Sequence, residues 1–463
     1  MQPKDITQSA FDAVRRASDY AKEYVSIIHT RNVFPTQSAL NALTEIDITL
    51  PKQGTPATAV LDQLHSSSAS TVATTGGRYF GLVVGGSSPA AMGAAILNAA
   101  WDQIAMLESS SPAAIHYERI AAKWILQLLM LPVGCSVGFT TGTSAANITC
   151  LAAAREYQYQ KIGVDIAKVG LSGAPKLNII VSEQAHVTIH KALRILGFGD
   201  KQIQRVPCDS QGRVISAYIP NVGPNTIVCL QAGNVNSGAS DRFNEIIPKL
   251  KDSGAWVHID GAFGLWASAS ERQRHINYGV DLADSWAVDG HKWLNTPYDC
   301  GLAICRHPKA VHSVMTTGAP YLTRDASISP KDVVPEFSRR ARGIEVWAAI
   351  KEMGQIGIED LVNRCCEHAQ SLANGLREIG YEILNEVSLN QVVATIGSVE
   401  QLRKIHAFVQ KSGECWFGLT VWNGRDAFRL SVSSWATTSK DIERTLAAIK
   451  YFTNQVLSAS PTE

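Results

Sequence analysis

Between residues 176 and 306 the chain carries six short runs, KLNIIVS, IQRVPC, NTIVCLQ, AWVHID, DSWAVD and GLAICR, several of them apolar at consecutive positions. A strand with one wet face alternates apolar and polar residues. A strand apolar throughout has to be covered on both faces, which is the condition of a parallel sheet lying between layers of helix. Helical stretches near 144–157, 186–196 and 241–252 fall between the runs and supply that cover. This predicts an α/β domain built on a central, mostly parallel sheet.

The flanks differ in texture. Residues 8–30 place Phe11, Val14, Ala17, Ala21, Val25 and Ile28 at helical spacing, a stripe that needs another surface, and a shorter helical segment near 36–45 leads into the polar tract HSSSAS. We read 1–75 as an N-terminal helical arm, 76–310 as the large domain, with GRYFGLVV opening it as a short extended run, and 311–463 as a smaller α+β domain. With 463 residues the chain is long enough for two or three domains. The balance of 42 Lys and Arg against 41 Asp and Glu gives no electrostatic reason to expect nucleic acid or an anionic membrane as partner. The 9 cysteines are scattered and read as small buried hydrophobes in a reducing compartment, without the paired spacing of a zinc site, so no metal is expected. The N-terminus is charged and lacks an apolar signal core, and no run approaches a membrane span, so the expectation is a soluble, cytoplasmic protein.

Four local signals point to chemistry. In GFTTGTSAANITCLAAARE (138–156) a Gly/Thr/Ser turn opens a helix, a seat for an anion such as phosphate or simply an N-cap. His186, in VSEQAHVTIHKALRILG, follows an apolar run and is either a ring that stacks on a flat cofactor or a helix-start histidine bonded to backbone. Asp260 ends AWVHID ahead of two small residues, where ligands gather in parallel sheets, or else it caps a turn. Lys292, in DSWAVDGHKWLNTPYDCG, lies just past another strand end; a lysine in such a place is an exposed loop residue or an amine kept for a Schiff base with an aldehyde. Together the four outline a site for a phosphate-bearing aldehyde.

The segments TTGTSAAN, SEQAHVTIHKALRILG, VCLQAGNVNSGASD, HIDGAFG, ADSWAVDGHKWLNTPYDCG, EFSRRARGIEVWAAIKEMG and FRLSVSSWATT, spread over most of residues 75–450, resemble the pyridoxal-phosphate-dependent amino-acid decarboxylases of the aromatic and glutamate decarboxylase group. That group has the aspartate aminotransferase fold, fold type I. The resemblance implies pyridoxal 5'-phosphate as cofactor, with Lys292 as the Schiff-base lysine, Asp260 as the partner of the pyridine nitrogen and His186 stacked over the ring. It implies phosphate contacts from Thr143, Ser144 and His291, and places Asn234 near the cofactor. Arg78, Tyr79, Phe80 and Arg340 become substrate-pocket candidates, with Arg340 and its motif neighbour Arg342 either site arginines or structural ion-pair residues, and Tyr321 a candidate for reprotonating Cα. The chain departs from the group where relatives often carry a His-Pro pair, reading TTGGRYFG instead. The implied activity is decarboxylation of an L-amino acid, aromatic ones in view, to the amine and carbon dioxide, by a homodimer with shared active sites. Alternatives are an aldehyde synthase, a C–C lyase or aldolase, an aminotransferase, or a non-catalytic binding or scaffold protein.

Overall fold

The computed structural model describes residues 3–318 and 328–458. Its main sheet has seven strands, β1 (Ser136–Thr140), β2 (Asn178–Ser182), β3 (Ile203–Val206), β4 (Thr226–Gln231), β5 (Trp256–Asp260), β6 (Ser285–Asp289) and β7 (Gly301–Cys305), in the order β1-β7-β6-β5-β4-β2-β3. All point the same way except β7, which runs antiparallel between β1 and β6. The reason is connection length. A parallel neighbour needs a crossover helix, whereas only the loop 290–300 joins β6 to β7, and that loop carries His291 and Lys292.

Both faces of the sheet are covered, as the apolar runs require. In β2, Ile180 joins one core while Ile179 and Val181 join the other; in β4, Val228 and Leu230 divide from Ile227 and Cys229 in the same way. The helix Thr143–Lys161 lies across β1, β7, β6 and β5, and Val187–Ile195 and Pro308–Met315 pack against it. The six runs at 176–306 thus emerge as six strands. The edge strand β1 is not singled out by sequence, because Gly138 interrupts it where an added Cβ would lie 2.5 Å from the Val333 carbonyl oxygen. Nor does the extended run expected at 77–84 become a strand: Tyr79 pairs singly with Trp416, and Leu82 and Val83 turn left-handed at φ 53° and 60°.

The second sheet is antiparallel, in the order β10-β11-β9-β8, formed by β8 (Glu382–Ile383), β9 (Gln391–Thr395), β10 (Gly418–Trp422) and β11 (Arg425–Ser431). Helices Val399–Ser412 and Ser439–Ser458 flank it, the first opened by a capping box between Ser398 and Gln401. At the N-terminus, helix Pro3–Ser26 packs on Ala57–Ser66, with Tyr20 stacked on His65 at 3.7 Å and donating to Asp62 at 2.6 Å. Sequence reads the end of that second helix only as a polar tract. Phe11 and Val14, part of the expected apolar stripe, are each 60% exposed in the single chain.

Candidate active site

Because β1, β2, β5 and β6 share a direction, their carboxyl ends open onto one crevice, and each contributes a group to it. Asp260 is the last residue of β5 and is paired in register with Ala287 of β6; Asp289 ends β6, and Lys292 lies three residues on. The Asp289 carboxylate lies at the centre of the cluster. It accepts the Thr143 backbone N–H at 2.6 Å, at the first turn of Thr143–Lys161, and faces Lys292 Nζ at 3.1 Å and His291 Nε2 at 3.7 Å. His291 is fixed from its other side, where Nδ1 accepts from Cys300 N at 3.1 Å, and its ring stacks on Tyr298 at 4.3 Å. Gly85 packs directly on this loop. A Cβ there would lie 1.7 Å from the Lys292 carbonyl oxygen, so only glycine allows the approach.

His186 caps helix Val187–Ile195, its Nδ1 within 2.8 Å of Thr188 Oγ1. This is the helix-start reading of His186, and the capping ring also lies close enough to Asp260 and Lys292 to sense their charges. Burial lowers its pKa, opposed by the nearby Asp260. Burial raises that of Asp260, opposed by the positive charge of His186 and Lys292 and by the Ala262 N–H, which donates to Oδ1 at 3.2 Å. No ion pair satisfies Asp260 among the described residues.

Behind Asp260 lies a buried polar layer. Asn147 Nδ2 donates to Asp260 Oδ2 at 3.4 Å, Asn147 Oδ1 meets His258 Nε2 at 2.9 Å, and His258 Nδ1 meets Ser285 Oγ at 2.9 Å. Burial pushes the His258 pKa down to about 3 from an ordinary 6.5, so the folded protein holds it neutral. Between these two values the unfolded chain binds the extra proton and the folded one does not, so stability falls as pH falls, with this group contributing about 1.4 kcal/mol per pH unit. Urea unfolding across that window is expected to give a shallower pH slope in His258→Gln by about this amount. Equal slopes would contradict the buried neutral state.

The other sequence candidates differ in their surroundings. Arg78 is 3% exposed, but its guanidinium donates to the carbonyls of His29, Arg31 and Glu414, fastening the N-terminal arm instead of facing a substrate. Arg78→Met is expected to lower unfolding free energy by about 3 kcal/mol, the scale for unpairing buried partners of a charge, measurable by denaturant unfolding; an unchanged midpoint would refute the tether. Phe80 is a core residue, not a pocket wall. Arg340 pairs with Glu345, Arg342 with Asp299 at 2.8 Å. Asn234 spends its carbonyl oxygen on the N–H groups of Asn236 and Ser237, and its Nδ2 abuts Gly212. Ser144 is exposed on the first helical turn, and Tyr321 lies outside the described residues. Tyr79 stays near the site, stacked on Trp416 at 4.9 Å and close enough to Arg429 to feel its charge.

Residues 40–396 match the pyridoxal-dependent decarboxylase conserved domain. The chain belongs to that family. Among its relatives, this decarboxylase-family protein is 24% identical to tryptophan decarboxylase 1 of Oryza sativa subsp. japonica, covering 96% of this chain and 94% of that one. It is 30% identical to the 4-hydroxyphenylacetaldehyde synthase of Rhodiola rosea over 57% of this chain and 54% of the relative. The solved structure of Oryza sativa TDC with PLP and tryptamine superposes with a TM-score of 0.86 at 23% identity, covering 98% of this chain and 99% of that one, a likeness that establishes fold type I. The family's cofactor fits the residues present. Thr143 Oγ1 is buried with no hydrogen-bond partner among the described residues, at a helix start that suits phosphate, and a Cβ on Gly142 would lie 3.1 Å from His291 Cε1, closing the cradle between them.

Sequence reading missed Asp289, Asn147, His258 and Arg429. His258 stands two residues before Asp260 on one strand, hence on the same face, and Asn147 lies one helical turn beyond Thr143; these spacings were the available signal. Arg429, on β11, donates to the Val235 carbonyl at 3.2 Å and pairs with no carboxylate among the described residues, yet its charge reaches both His186 and Tyr79.

Proposed function

We propose that the protein decarboxylates an aromatic L-amino acid to its amine with pyridoxal 5'-phosphate held in the Asp260–His186–Lys292 crevice. The observation that carries this is the buried Asp260 carboxylate, without an ion pair among the described residues and within electrostatic reach of Lys292 and His186. Such a carboxylate favours a proton on a ring nitrogen placed against it. When bound, the cofactor supplies an aldehyde for the amine and an electron-accepting ring for the pair released at Cα.

The protein's own groups have separable roles in this reading. The Thr143 Oγ1 and the His291 ring face the phosphate, and His186 covers one side of the ring. Asp289 orients the Lys292 amine and accepts its proton's hydrogen bond. Arg429 receives the substrate carboxylate, while Tyr79, Trp416 and Tyr298 offer aromatic surface next to it. Arg429→Met is expected to raise KM about 10- to 100-fold, the equivalent of one hydrogen bond to a charged group; an unchanged KM would remove Arg429 from substrate binding. The amphipathic arm, with Phe11 and Val14 exposed, suits cover by a second copy in a homodimer.

The names of relatives, tryptophan decarboxylase and tyrosine decarboxylase among them, support an aromatic substrate. The 30% identity to an aldehyde synthase favours a second reading, in which amino acid, dioxygen and water give aldehyde, carbon dioxide, ammonia and hydrogen peroxide. Mass analysis of products from tryptophan, tyrosine, dopa, phenylalanine and glutamate separates them. Amine from an aromatic acid supports the proposal; aldehyde with peroxide supports the second reading, and amine from glutamate alone would refute the aromatic assignment.

A further inference from the structure

The polar layer behind Asp260 continues past His258. Ser285, the register partner of His258 on the neighbouring strand, has its Oγ 3.0 Å from Trp256 Nε1, so five side chains line up as Trp256, Ser285, His258, Asn147 and Asp260. The four behind Asp260 are each 1% exposed or less. The ends of the line are chemically unlike. An indole N–H can only donate, and a carboxylate can only accept.

We infer that these residues form a one-way hydrogen-bond chain that holds Asp260 as an anion, with Trp256, Ser285, His258 and Asn147 as positioning residues for the cofactor's ring nitrogen. Ser285 Oγ accepts the indole proton and gives its own to His258 Nδ1. His258 therefore carries its proton on Nε2 and donates to Asn147 Oδ1, which turns the Asn147 amide N–H toward Asp260 Oδ2. Reversal needs a protonated Asp260 donating to Asn147, an inverted amide, and His258 protonated on Nδ1. Ser285 then faces two donors at once, and its own proton is left to the Cys150 thiol, a weak acceptor. The donor-only indole thus sets the polarity of the layer, whose members are buried from solvent.

This rests on the reading that Asp260 faces the ring nitrogen, and the test separates the two. In holoenzyme with 15N-labelled histidine, long-range proton–nitrogen correlation is expected to place one neutral histidine, absent from His258→Gln spectra, in the Nε2–H tautomer. An Nδ1–H or doubly protonated His258 would overturn the chain. With ring-15N pyridoxal phosphate, His258→Leu and Ser285→Ala are expected to move the ring nitrogen signal toward the unprotonated position, while His258→Gln, which can accept from Ser285 and donate to Asn147, restores it. In His258→Leu, kcat is expected to fall on the order of 10- to 100-fold with KM nearly unchanged. Asp260→Asn is the control. A signal that moves in Asp260→Asn but not in His258→Leu or Ser285→Ala overturns the chain alone; a signal unmoved in Asp260→Asn overturns the placement of Asp260, and the inference with it.

Discussion

Lys292→Ala is expected to lower turnover by about 10^4-fold or more, the scale on which enzymes lose rate when their covalent nucleophile is removed. The Lys292 amine lies 3.1 Å from Asp289 on a loop that Gly85 and β7 hold in place. Borohydride reduction of the holoenzyme followed by peptide mass analysis is expected to find the cofactor on the Lys292 peptide in the native protein and on no peptide in the variant. The variant can still hold cofactor through Thr143, His291 and Asp260 without a covalent bond. Normal turnover in Lys292→Ala, or cofactor attached to a different lysine in the native protein, would refute the assignment.

Asp260→Asn is expected to slow the chemical step about 10^3-fold, equivalent to about 4 kcal/mol for breaking a buried charge pair with the ring nitrogen. The amide keeps an oxygen able to accept from Ala262, so the fold is expected to survive, and single-turnover rates isolate chemistry from binding. An unchanged single-turnover rate would contradict the electron-sink role.

How much of this was legible in sequence depends on distance along the chain. The parallel sheet could be read because its apolar runs and covering helices alternate locally, and Asp260, His186 and Lys292 stood out because the first closes a recognisable strand and the other two lie just past one. Asp289 looks like an ordinary strand-terminal residue until β6 meets the start of helix Thr143–Lys161, and Asn147 needs the same long-range packing to reach Asp260. Place in a motif does not say what Arg78 and Arg340 bind. A guanidinium can satisfy itself on backbone carbonyls, as Arg78 does, or on a nearby carboxylate, as Arg340 does with Glu345, and only the folded chain shows that Arg429 has no carboxylate partner among the described residues while its charge reaches His186 and Tyr79.

The most direct test of the central claim is to feed carboxyl-labelled aromatic L-amino acids to the native protein, with and without pyridoxal phosphate, and to count released carbon dioxide against amine formed. The account predicts label release matched one for one by the amine and lost when the cofactor is withheld. Label retained in an oxo acid, with the amino group transferred elsewhere, would contradict it.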